Sequence, residues 1–174
     1  NKRIALFSLI VCALVYFVEN KISLIDKLGG KRIVAFLIVL INLVVVYFLY
    51  NMSIGTFDEL ISEITGISTN HLFMGRQVLF GKVFSFLGSP KLFGLGLGYT
   101  SAILEQDIVQ SNLDLMHSDI LKYFYEFGLI PYSIFLYILY KKSLDNLHLF
   151  VLLVYYNLLG ITANVTIYFS SMVF

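Results

Sequence analysis

The sequence predicts an all-α integral membrane fold: part of a polytopic helical bundle with about four transmembrane helices and one long, partly helical extracytoplasmic loop. Three observations predict it. Hydrophobic residues make up 59% of the 174-residue chain and charged residues 13%, with a mean hydropathy of +0.85. A soluble domain carries about 25% charged residues to cover its surface. The apolar residues are gathered into stretches of bilayer-crossing length, and the charges collect in the connections between them. Residues 1–174 read as one membrane domain. Because the chain opens on Asn1 and closes inside the apolar run 167–174, it is expected to be a piece of a longer protein.

A hydrocarbon core of about 30 Å takes about 20 predominantly apolar residues in a helix. The first expected span is about 4–18, ending before Glu19. The second is 33–50, interrupted only by Asn42. The third is 120–140, with Lys122 and Glu126 in its first half. The fourth is about 148–172; no formal charge follows Leu147. Orientation follows from lysine and arginine, which favour the cytoplasmic side. Lys21, Lys27, Lys31 and Arg32 lie between the first two spans, and Lys141 and Lys142 between the last two. Both connections are therefore expected inside and 51–119 outside; Lys2 and Arg3 pull the other way but are outnumbered. The outer segment carries seven acids (Asp58, Glu59, Glu63, Glu105, Asp107, Asp114, Asp119) and three bases (Arg76, Lys82, Lys91). No basic cluster large enough for nucleic acid is present. The lone Cys12 can form no internal disulfide and reads as a small buried or lipid-facing hydrophobe.

A connection of this length is expected to carry structure of its own. Phe57 to Ile64 predicts a short helix and Leu72 to Leu87 a second, closed by Ser89-Pro90. A glycine-rich stretch follows, Gly94-Leu95-Gly96-Leu97-Gly98, and the polar segment 107–115 leads into the third span.

Three polar residues are candidates for chemistry. On the second loop helix, Leu72, Phe73, Arg76, Leu79, Phe80, Val83, Phe84 and Leu87 share one face, so Arg76 interrupts an apolar stripe. A buried charge is costly unless paired. Arg76 therefore either meets an anion, most naturally a phosphate, or snorkels or pairs with a loop acid. His117 precedes the third span near a helix N-terminus, with Asp114 or Ser118 as N-cap. The dipole there favours neutral imidazole, which can act as a general base or simply hydrogen-bond at the interface. His117, Leu121, Phe124 and Gly128 share a face. Glu126 is expected to face the bundle or a wet cavity, or to pair with Lys122. Gly94, Gly96 and Gly98 suit backbone approaching a ligand or a tight re-entrant turn. They lack the final glycine and the strand–turn–helix setting of a dinucleotide loop. His71 and His117 match no metal-ligand spacing, so no metal or other cofactor is expected.

In order, these features are Gly75-Arg76 opening an amphipathic helix, Pro90, Gly94-x-Gly96-x-Gly98, then His117-Ser118-x-x-Leu121 and Glu126-x-Gly128. That order resembles the O-antigen ligase/polymerase (Wzy-like) family of bacterial polysaccharide membrane glycosyltransferases, over about residues 72–135. Leu79-Phe80 departs from it, since many members carry a tryptophan there. The resemblance implies a multi-pass protein of the bacterial cytoplasmic (inner) membrane. It would catalyse metal-independent polymerisation of polyprenyl-diphosphate-linked oligosaccharide repeat units at the outer face, for capsule, exopolysaccharide or O-antigen. Arg76 would hold the diphosphate and His117 would activate the acceptor hydroxyl. Gly94, Gly96, Gly98 and Glu126 are the expected substrate-binding positions. The bilayer, the lipid-linked oligosaccharide and other polysaccharide-assembly proteins are the expected partners. A ligase that moves a finished chain to a lipid acceptor would use the same motifs, and a non-enzymatic lipid-linked sugar transporter remains a rival.

Overall fold

The structure is a computed structural model that describes residues 2–72, 76–88, 91–102 and 118–161. Every regular element among the described residues is helical: α1 (Lys2–Ile22), α2 (Leu24–Lys27), α3 (Lys31–Ser53), α4 (Asp58–Thr65), α5 (Thr69–Leu72), α6 (Arg76–Leu87), α7 (Asp119–Phe127), α8 (Leu129–Ser143) and α9 (Leu147–Gly160).

Among the described residues, two helices are long and apolar enough to cross a membrane: Ile4–Ile22 within α1, and α3. Only 11% and 33% of their apolar windows are buried, whereas the core helix of a soluble protein would be mostly buried. They turn Leu6, Phe17, Ile41, Val44 and Tyr47 outward instead. Apolar exposure on this scale suits lipid or further helices rather than water. The chain therefore has membrane-helix character.

α1 lies on α9 and buries small residues there. Ser8 is inaccessible, and the Cys12 thiol donates to the Val151 carbonyl at 3.5 Å. Small side chains let two helices approach closely, the favoured contact where no hydrophobic effect drives association. α3 packs on α6 and α8. Its inner face is Val34, Ala35, Val39, Asn42, Val46, Leu49 and Met52, at helical spacing. Asn42, expected to interrupt this span, is buried there and donates to the Ile38 carbonyl at 2.9 Å. Asn51 repeats the device with Tyr47 at 2.8 Å. Such intrahelical bonds partly satisfy polar groups away from water.

The first loop helix forms as expected, shifted by one residue, and is capped by Gly66 in the left-handed region. The second begins at Arg76, and its stripe turns inward: Phe80, Phe84 and Leu87 are buried. Gly81 lets α6 sit against α3, since a Cβ there would lie 3.1 Å from the Ser53 carbonyl oxygen. One expectation needs correction. The stretch 120–140 is not a continuous helix; it breaks at Gly128, which separates α7 from α8. The fourth expected span is helical over Leu147–Gly160. Its remainder lies outside the described residues.

The Lys31 ammonium pairs with Asp145 at 2.6 Å, joining the two lysine-bearing connections. Its hydrogen bond and charge hold the Asp145 carboxyl below the usual carboxylate range.

Candidate functional site

The glycine-rich stretch and the helix break form one unit. Pro131 cannot donate to the Phe127 carbonyl, as an uninterrupted helix would require. The chain instead stops at Phe127 and takes φ 82° at Gly128, a left-handed-region value that favours glycine. The Gly128 amide closes α7 by donating to the Phe124 carbonyl at 2.8 Å. Pro131 then falls in the first turn of α8, where its missing N–H costs nothing.

A break leaves backbone groups of both half-helices without intrahelical partners. Residues 91–96 supply those partners. The Gly94, Leu95 and Gly96 amides donate to the carbonyls of Phe127 (2.8 Å), Tyr125 (3.0 Å) and Glu126 (3.1 Å). In return, the Leu129 and Ile130 amides donate to the carbonyls of Lys91 and Leu92, both at 3.0 Å. The approach needs glycine on both sides. A Cβ on Gly94 would collide with the Glu126 carbonyl, and one on Gly128 with the Phe93 backbone. Gly96 and Gly98 also have positive φ (103° and 80°) but are exposed.

Glu126 lies beside this junction and is 4% exposed. Its carboxylate accepts a hydrogen bond from the Thr100 hydroxyl, 2% exposed, at the start of a further helical turn. Glu126 therefore faces inward as expected, but its partner is Thr100; no ion pair with Lys122 forms among the described residues. The Tyr125 hydroxyl donates to the Gly88 carbonyl at 3.1 Å, and its ring packs on Phe84. The end of α6 and the glycine stretch are thus fastened to neighbouring residues of α7.

At the other end of α7, Ser118 is the N-cap; its hydroxyl accepts from the Leu121 amide at 3.4 Å and donates to the Gly160 carbonyl at 3.2 Å. This is one of the two caps the sequence offered. Asp119, in the first turn, is also buried. An acid is favoured there by the helix dipole.

Asp119 borders an open cleft of about 510 Å³ between α3, α7, α8 and α9. Apolar side chains such as Ile120, Phe135, Leu136 and Leu153 dominate its wall, with Asn42, Asp119 and Asn157 as polar points. Asn157 donates to the Tyr140 hydroxyl at 2.7 Å, and that hydroxyl donates to the Leu153 carbonyl at 3.2 Å. A mostly apolar cleft with a few fixed polar groups suits an amphipathic ligand with a long hydrocarbon part.

The structure therefore brings Gly94, Glu126 and Gly128 together. Arg76 is the first residue of α6, and its side chain lies outside the described residues, as does the whole of His117. Thr100 and Asp119 were not singled out from the sequence. A signal existed for Asp119, an acid directly after the Ser118 cap; none existed for Thr100, whose partner is remote in the chain. No protein-family model, no curated protein and no solved structure matches this chain.

Proposed function

We propose that this chain belongs to a multi-pass membrane glycosyltransferase that polymerises polyprenyl-diphosphate-linked oligosaccharide repeat units at the outer face of the bacterial cytoplasmic membrane. The observation that carries the reading is the docking of Gly94–Gly96 onto the Glu126–Gly128 break. Two motifs of the resemblance, distant in sequence, form one hydrogen-bonded junction. Broken helices at membrane depth are tolerated where they are buried in protein or line a cavity, and they are recurrent ligand sites.

In this reading α1, α3, the α7–α8 pair and α9 with its continuation cross the bilayer. The segment 51–119 lies on the outer side, with residues 91–96 reaching in to the break. The Lys31–Asp145 pair supports placing both lysine-bearing connections on one side. The open apolar cleft suits the polyprenyl tail, with the sugar above it.

Chemically, the acceptor hydroxyl oxygen attacks the anomeric carbon while the bond to the diphosphate oxygen breaks. The electron pair leaves with the polyprenyl diphosphate, and the hydroxyl proton passes to His117. Arg76 stabilises the charge that grows on the diphosphate, an effect worth roughly 10²–10³ in rate. His117 as base contributes roughly 10²–10⁴. Gly94, Gly96, Gly98 and Glu126 border the sugar site, with Thr100 fixing the carboxylate.

The test is made in cells. Arg76→Ala and His117→Ala should each abolish chain extension while single repeat units still reach the outer face. Normal-length polymer in both variants would overturn the enzyme reading and favour a transporter. Single-step transfer of a finished chain to a lipid acceptor would identify a ligase instead.

A further inference from the structure

A second pocket, about 540 Å³, lies at the opposite end of the bundle from the glycine-docked break. Its rim carries Lys31 and Arg32 at the start of α3, and Lys141 and Lys142 at the end of α8. We infer that this pocket binds the phosphate headgroup of an anionic glycerophospholipid of the cytoplasmic leaflet. The inference rests on the membrane reading above, though not on the glycosyltransferase chemistry.

Four cations against one carboxylate, Asp145, leave the pocket strongly positive. Asp145 is already engaged by Lys31 at 2.6 Å, and Arg32, Lys141 and Lys142 form no salt bridge among the described residues. Lys141 is steadied over the Tyr137 ring, 5.9 Å from its centroid. Gly30 has φ 86° and open space where a Cβ would stand, so the turn into α3 leaves the pocket unobstructed. The first turn of α3 has no side-chain cap, but the carbonyls at the C-terminal end of α8 on the other wall offset its dipole, so the side-chain cations set the potential.

The apolar surroundings select the kind of anion. Ile138 lines the pocket itself and is 48% exposed. One turn further from the charged end, Ile134 is 55% exposed on α8; on α3, Ile33 and Leu37 are also exposed. Cations at the end of two packed helices, above a strip of outward-facing isoleucine and leucine, match a phosphate with acyl chains below it. A soluble anion would gain nothing from that strip. Basic pockets between transmembrane helices on the cytoplasmic side take anionic headgroups, and each nearby Lys or Arg contributes about fivefold in affinity.

The test uses the intact protein, purified in detergent and titrated with a fluorescent phosphatidylglycerol, then with phosphatidylcholine carrying the same chains. Tighter binding of phosphatidylglycerol is expected, with Lys141→Gln/Lys142→Gln weakening it by on the order of tenfold or more. Lys141→Arg/Lys142→Arg should retain binding, which separates loss of charge from loss of fold. Lys21→Gln/Lys27→Gln removes equal charge from the other lysine-bearing connection, outside the pocket, and should change binding little. An equal loss in that control would show diffuse attraction and overturn the site. Displacement of the lipid by millimolar inorganic phosphate would identify a soluble-phosphate site and overturn the lipid assignment. Equal binding of the two lipids by a protein that resists carbonate extraction would also overturn it. A protein released by carbonate would sink the membrane reading itself.

Discussion

Glu126 shows what a single residue contributes. A carboxylate taken from water needs donors, and Thr100 provides one. Thr100→Val keeps the shape and removes the donor. It should cost about 1–3 kcal/mol, the usual penalty for a buried polar group left without its partner. Thr100→Ser should recover most of this; thermal unfolding in detergent reads both. Gly94→Ala should be at least as damaging, because the new methyl meets the rigid Glu126 backbone rather than a side chain that can turn away. At this scale the sequence was partly legible. An acid inside an apolar span had to face inward, and Glu126 does. Its partner was not legible, since Lys122 on the same helix looked sufficient while Thr100 comes from a distant segment.

At the scale of elements, the break in α7–α8 is the main departure from expectation. Hydropathy alone reads 120–140 as one span, because neither Gly128 nor Pro131 reduces apolar length. The pair is nevertheless the signal: proline removes one ladder bond, and glycine permits the turn that avoids the clash. The glycine stretch read as backbone approaching a ligand or as a tight re-entrant turn; in the structure Gly94 closely approaches the break, while Gly96 and Gly98 have open space. Pro131→Ala alone should leave the break in place, since the Phe127 carbonyl already accepts from Gly94 at 2.8 Å. Gly128→Ala/Pro131→Ala should favour a continuous helix and expel residues 91–96. Hydrogen exchange at the Gly94 and Gly96 amides distinguishes the two: protected in the first variant, fast in the second. Protection in both would mean that the junction does not depend on the break. The α6 stripe was more legible, because helical spacing alone identified Phe80, Phe84 and Leu87 as its inner face.

For the whole molecule, the long apolar helices α1 and α3 follow from composition, whereas the Lys31–Asp145 pair that joins the two lysine-bearing connections was not legible, because its partners lie far apart in the chain. The proposed orientation has a direct readout. In a Cys12→Ala background, Asp107→Cys should react with an impermeant thiol reagent on intact cells, and Lys142→Cys only after lysis. The reverse pattern would invert the topology. The Lys31–Asp145 pair adds a pH dependence whose sign is fixed. Lys31 lowers the folded carboxyl below its ordinary value of 3.8, so the contribution is complete above that value and fades as pH falls through the lowered one. Unfolding curves of the wild type and Asp145→Asn should therefore keep a constant separation at neutral pH and converge only in strong acid. The separation should be small, since both side chains are exposed. The proposed function is chain growth at an outer-face site. The measurement that tests it most directly supplies the intact, purified protein with polyprenyl-diphosphate-linked repeat units and follows product length on a gel. A ladder of polymer with release of polyprenyl diphosphate is expected, lost in Arg76→Ala and in His117→Ala. Repeat units that stay single with the wild-type protein, or a ladder undiminished in both variants, would contradict it.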